Sequence, residues 1–318
     1  MTSLRCLARA LALLALLLQS ATTSAQFVDA PGAAGPDATD TPDAPDDNPN
    51  RKGTFTTTFT RRTPAASLTQ VLARWDASRQ RDEAGVDYDI RSMQFTVHVP
   101  ESFQPGRRFG LVVWLDPTGT QAAPPEGYDQ LLADANLLWV SPHGFGTLPQ
   151  WHQYGLPIDA VYNMNRRYRI DMRRVFIAGV GDGGRLAHRI AIGTPDLFAG
   201  VIASGDLDFF RRVDYPSNAF IRHPEAFAPP QGQHLARAKR STRFVVFVNP
   251  NDSPDTRYRA ILINGYREVG IKNLQTIETN MVGVIHNPDE FAAALALVDG
   301  KRPPAPRPAP PPAAPSSP

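Results

Sequence analysis

The stretch VFIAGVGDGGRLA, Val175 to Ala187, changes its residue pattern twice within thirteen positions. It opens on an unbroken apolar run, the habit of a strand covered on both faces. Gly179, Gly181, Gly183 and Gly184 then crowd a corner, and from Gly184 to Ile192 the apolar residues recur at helical spacing. The segment therefore reads as strand, tight corner, helix.

Other segments repeat the strand half of that pattern. GLVVWLDP (110–117), NLLWVSP (136–142), AGVIASG (199–205) and RFVVFVNP (243–250) are apolar runs closed by turn residues. TFTTTFT (54–60) and QFTVHVP (94–100) alternate instead, as strands with one wet face do. Helical spacing is found over Ile158 to Tyr168, Gly184 to Ile192, Thr256 to Val269 and Asp289 to Val298. Strands alternating with helices predict an α/β fold with a doubly wound, mostly parallel sheet, in a single domain over 53–300. In such sheets ligands sit beyond the carboxyl ends of the strands. The candidate site is then drawn from Asp116 to Gly119, His143 to Gly146, Gly179 to Gly183, Ser204 to Asp206, Asn249 to Asp252 and the loop ending at His286.

The two ends read differently. Arg5 and Arg9 precede an apolar run from Ala10 to Leu18 and the small-residue stretch ending at Ala25. That run is too short to span a bilayer, so residues 1–25 read as a bacterial secretory signal peptide, removed on export to the periplasm or beyond. Cys6 is the only cysteine and lies before the run, so it is not a lipid-bearing cysteine, and the mature chain has no thiol. Residues 26–52 are rich in Asp, Pro and Ala, and 301–318 in Pro and Ala. Both segments bury too little to offset their chain entropy and read as disordered ends. The formal net charge of +2 is spread over both signs without a basic block, which argues against nucleic-acid binding. No membrane span remains after signal cleavage, and a monomer is expected. His143, His152, His188 and His286 lack ligand-like spacing, so neither a metal nor another cofactor is expected.

Several longer segments carry a family resemblance. They are VHVPESFQPGRRFGLVVWLDPTG, RYRIDMRRVFIAGVGDGGRLAHRIA, PDLFAGVIASG, NPNDSPD and VGVIHNPDEF. Taken in order over residues 95–299, they resemble the α/β-hydrolase superfamily, and within it the secreted esterase and polyhydroxyalkanoate-depolymerase-like branch. The resemblance implies that the corner is a nucleophile elbow, where such enzymes carry Gly-x-Ser-x-Gly. It puts Gly181 in the serine's place, His286 in the place of the general base and Asp252 in that of its acid, with Asp255 competing for the last role. The usual His-Gly pair after the third strand is replaced by Asp116-Pro117, which leaves Gly119 and the backbone amide of Asp182 as oxyanion donors.

Two side chains are candidates to replace the missing hydroxyl. Asp182 lies one residue past the nucleophile position, at a helix start where a carboxylate complements the dipole. Ser204 ends the next strand but has no elbow to present it. Loss of a triad's serine costs on the order of a millionfold in turnover, about 8 kcal/mol. The expectation is a protein that keeps a pocket for an ester, polyester or glycan-linked ligand but has lost serine-hydrolase activity. The alternative is an active carboxylic-ester hydrolase using Asp182, Ser204 or a water activated by His286. A third reading, an envelope interaction protein working through its Pro-rich tail, rests on composition only. Residues 206–235 are expected to cap the cleft, with Trp151 and Tyr154 either lining it or packed in the core.

Overall fold

The computed structural model describes residues 48–75, 85–118, 120, 122–205, 207–215, 217–252 and 260–304, all within the compact unit Asp43–Pro318. Eight strands form one sheet. They are β1 (Gly53–Thr58), β2 (Gln94–Val99), β3 (Gly110–Leu115), β4 (Leu137–Pro142), β5 (Val175–Val180), β6 (Gly200–Ser204), β9 (Arg243–Val248) and β10 (Leu274–Glu278). Their spatial order is β1-β2-β4-β3-β5-β6-β9-β10. β2 runs antiparallel to both neighbours, and every other adjacent pair except β1 with β2 is parallel. The doubly wound, mostly parallel sheet expected of the α/β-hydrolase type is what the chain forms. A separate hairpin pairs β7 (Val213–Tyr215) with β8 (Asn218–His223).

Alternation along each strand divides the core in two, because successive side chains point to opposite faces. Leu111, Val113, Ile177, Val201, Phe244 and Val246 face one layer. It is built from α1 (Leu68–Arg74), α3 (Gln150–Tyr168) and α4 (Asp182–Gly193). Val112, Trp114, Phe176, Ala178, Ile202, Val245 and Phe247 face the other, beneath α2 (Tyr128–Ala135) and α6 (Pro288–Val298). The amphipathic α5 (Gly232–Ser241) packs on α4. Trp151 and Tyr154 belong to the core, ring against ring with Trp75 at 6.5 Å and 4.6 Å, and so do not line a cleft.

A buried ionic knot fastens the amino-terminal segment to this body. The Asp159 carboxylate, with no solvent exposure, meets Arg62 Nε at 3.1 Å, accepts from Tyr88 Oη at 2.6 Å and accepts from the Thr63 amide at 2.8 Å. A carboxylate so placed stabilises only because each oxygen is satisfied; removal of its partners would leave an uncompensated charge.

The structure departs from the expected elements in three places. α3 begins at Gln150, eight residues before the expected Ile158, and passes through Pro157 without ending. The helix expected over Thr256 to Val269 is described only from Ala260 onward, and Ile261–Tyr266 takes the wider π form there. Within the expected cap, 206–235 holds the β7–β8 hairpin and the start of α5 rather than one continuous loop.

One core histidine gives the fold a pH signature. His188 is wholly buried between the rings of Phe227 and Tyr266, and neither ring nitrogen has a hydrogen-bond partner among the described residues. Burial, with help from the neighbouring Arg189 charge, drives its pKa down to about 3. A histidine in the unfolded chain titrates near 6.5. Unfolding therefore takes up a proton between those values, so this contribution to stability is complete above pH 6.5 and is lost as pH falls toward 3. Urea unfolding of His188→Leu should show a pH slope shallower than wild type by ~1.4 kcal/mol per pH unit between pH 6 and 5. Parallel slopes for the two proteins would contradict this account.

Candidate functional site

The site is organised around a corner that no side chain enters. β5 reaches Gly179, which pairs with Leu115, and Val180, which pairs with Ser204, before the chain turns into α4. A Cβ on Gly179 would lie 2.5 Å from the Gly183 carbonyl carbon, and one on Gly184 would lie 2.8 Å from the Ser204 carbonyl oxygen. At Gly183 it would run into the Leu115 carbonyl. These three glycines let backbone pack on backbone where helix and sheet meet.

Gly181 differs from them. Its φ of +54° and ψ of −126° place it where L side chains are strained, which is the condition of a residue at the centre of a nucleophile elbow. Yet a Cβ there would meet nothing nearer than the Gly283 carbonyl oxygen at 3.7 Å, an ordinary contact. The corner thus has room for the side chain it lacks. The Gly181 amide donates to the Ser204 carbonyl at 2.7 Å. Gly205, at φ +126°, lies against it so closely that a Cβ would come within 2.9 Å of the Gly181 nitrogen and Cα.

His286 arrives from the loop before α6 and is held on every side. Its ring stacks on Phe247 of β9, with centroids 3.6 Å apart and planes 11° apart. Tyr128 Oη donates to its carbonyl at 2.9 Å. Nε2 lies 2.8 Å from Ser204 Oγ, and Nδ1 lies 3.3 Å from Glu290 Oε2, one turn into α6. The Gly283 amide donates to Ser204 Oγ at 2.9 Å. Burial lowers the pKa of His286 while the Glu290 carboxylate opposes that shift, so the ring is a neutral base at pH 7.

The structure joins some of the expected residues and separates others. Gly181, Ser204 and His286 meet at the carboxyl ends of β5 and β6. Asp252 does not join them: it closes the turn after β9, its amide donating to the Asn249 carbonyl at 3.1 Å, and the β9 residue that touches His286 is Phe247. Asp182 occupies the first turn of α4 with its side chain 75% exposed, 3.3 Å from Arg185, facing water rather than His286. Gly119 and Asp255 lie outside the described residues. Asp116 spends its carboxylate on its own turn, accepting from the Thr118 amide at 3.0 Å and from Thr118 Oγ1 at 2.6 Å. His143 is bonded to Thr96 Oγ1 at 2.6 Å, and no metal-holding group of three His, Cys, Asp or Glu occurs among the described residues.

Sequence reasoning passed over Glu290 and Phe247. Asn287 caps α6 and accepts from the Glu290 amide at 2.9 Å, so Glu290 stands where a capping glutamate is ordinary. Its spacing of four from His286 was the available signal. Phe247 lies in an apolar run that gives no hint of a ring partner. Glu290 also lines a cavity of about 520 Å³ between α2 and α6, and a second cavity of about 620 Å³ opens beside Val248, Leu262 and Lys272.

The two positive-φ glycines make separable predictions. Gly181→Ala should cost about 1–2 kcal/mol from backbone strain alone, whereas Gly205→Ala adds a backbone clash and should cost about 3 kcal/mol or more. Urea unfolding of both variants gives the ranking; equal losses would contradict the close approach at Gly205.

No family model matches the chain, and no curated protein does. Among solved structures it is similar to a thermostable esterase (18% identity, 58% of this chain and 50% of that one, TM-score 0.41). It is also similar to a ferulic acid esterase (16% identity, 76% and 95%, TM-score 0.46) and to fungal esterases from Rhizomucor miehei (13% identity, 68% and 80%, TM-score 0.46). The chain thus spans half the length of the first of these and nearly all of the second.

Proposed function

We propose that this protein is an exported binding member of the α/β-hydrolase fold, whose corner has lost its nucleophile while its base survives. It takes an ester, polyester or glycan-linked ligand above Gly181 and does not turn it over. The observation that carries this reading is Gly181 itself: an elbow conformation and space for a side chain, with no hydroxyl there to attack. Ser204 Oγ is the only side-chain oxygen bonded to His286 Nε2 among the described residues, and Ser204 has no solvent exposure. A nucleophile must meet its substrate, and this hydroxyl is buried. Export is supported by the Arg5, Arg9 and Ala10 to Leu18 pattern.

The 2.8 Å contact between Ser204 and His286 favours one second reading. In it Ser204 is a displaced nucleophile, reached when the corner opens, and the protein is an active carboxylic-ester hydrolase.

The two readings part on covalent labelling. Under the first, the full chain shows no fluorophosphonate adduct and no turnover of short nitrophenyl esters above background. Gly181→Ser then gains an adduct, which disappears when His286→Ala is added. Labelling of the wild type that Ser204→Ala abolishes would overturn the first reading in favour of the second.

A further inference from the structure

We infer that Glu290 is the residue that orients His286, holding the imidazole with its Nδ1 proton toward α6 and its Nε2 lone pair toward the corner. The resemblance implies Asp252 in that role. This inference rests on the proposed identity of His286 as the retained base, and it holds whether or not any nucleophile faces that base.

The tautomer follows from counting protons around Ser204. The Gly283 amide donates to Ser204 Oγ, and the residue has no solvent exposure. The hydroxyl proton then has one acceptor within reach among the described residues, His286 Nε2 at 2.8 Å. Were Nε2 protonated, the hydroxyl proton would be buried without a partner, which is unfavourable. Nε2 is therefore the acceptor, the ring proton is on Nδ1, and what Nδ1 faces is Glu290 Oε2 at 3.3 Å.

The surroundings of the ring leave that role to Glu290. Phe247 from β9 fixes the ring plane and Tyr128 from α2 fixes the backbone, but neither distinguishes one ring nitrogen from the other. Ser204 from β6 is neutral. Glu290 is the one carboxylate within ion-pair distance of the ring among the described residues, and it is 30% exposed, so its charge remains hydrated. It gives Nδ1–H an anionic neighbour, an arrangement that fixes a histidine's tautomer and raises its basicity.

Glu290 also belongs to the cap of α6, and that role alone would explain its presence. Asn287 Oδ1 takes the Glu290 amide, while Asn287 Nδ2 donates back to Glu290 Oε2 at 3.1 Å. Glutamine serves the capping position as well as glutamate. Glu290→Gln therefore keeps the cap and removes only the charge.

The test uses the full-length chain with ¹⁵N-labelled histidine, following the His286 ring nitrogens by NMR across pH. Wild type should show the Nδ1–H tautomer. Glu290→Gln should keep that tautomer, which Ser204 also fixes, and lower proton affinity about tenfold, at unchanged melting temperature. Glu290→Asp should restore the proton affinity at least in part, and Asp252→Asn should leave the ring's titration where it was. An unaltered His286 titration in Glu290→Gln, or a shift in Asp252→Asn, overturns the inference. A parallel measurement takes the Gly181→Ser background, where Glu290→Gln should slow fluorophosphonate labelling at least about tenfold. If Gly181→Ser takes no label, the proposed corner fails and the NMR result still decides the role of Glu290.

Discussion

The site depends on one steric constraint: at the crossing of β5 and α4, backbone touches backbone. A Cβ at Gly179, Gly183 or Gly184 has nowhere to go, because main-chain atoms of α4, β3 and β6 already fill those places. This lets α4 start directly over the end of the sheet, with its unpaired amides and positive dipole end at the mouth. It also draws the end of β6 up beside the corner, so that Val180 pairs with Ser204 and the Ser204 carbonyl holds the Gly181 amide. The same close approach therefore builds the corner and brings a second hydroxyl to within one strand of it.

A base left without a nucleophile is an unsatisfied buried acceptor, and that is expensive in a protein interior. Ser204 relieves it. Its hydroxyl satisfies Nε2, and the Gly283 amide satisfies the hydroxyl in turn, so the contacts run unbroken from Gly283 to the hydrated carboxylate of Glu290. A connected network of this sort is stable. It resists loss of any single member, because removing one leaves a neighbour buried and unpaired. That is a physical reason for His286 to stay fixed beside a corner that carries no hydroxyl.

Much of the framework was legible because it follows from periodicity. Unbroken apolar runs such as GLVVWL and VFIAGV announce strands covered on both faces, and they form them. Elements that depend on tertiary context were not legible. Pro157 marks a break to local reasoning, yet α3 runs through it because nearly every residue around it is buried. The β7–β8 hairpin carries too few apolar residues to register. At the site, Gly181 was identifiable from the corner pattern and His286 from its loop, but the partners of His286 were not. Asp252 follows a strand end, where a carboxylate partner is expected by order along the chain. Whether it reaches the imidazole is decided by the turn geometry, and Asn249 closes that turn. Glu290 sits inside a capping pattern, which gave it a sufficient explanation before the structure supplied another.

Packing also fixes the shape of this corner. Gly181 retains the strained dihedrals, although glycine removes any energetic reason to relax them and any reason to keep them. What maintains them is Gly205: the two backbones are in contact, so the corner cannot flatten without displacing the end of β6. The positive-φ conformation is thus held by packing against a neighbour. Serine at 181 would pay only the strain of a positive φ, of order 1 kcal/mol or somewhat more. That cost is small beside the millionfold difference in turnover that a hydroxyl makes in a triad. Under the proposed reading, the difference between a binding and a reactive corner therefore lies in one side chain and not in the fold that surrounds it.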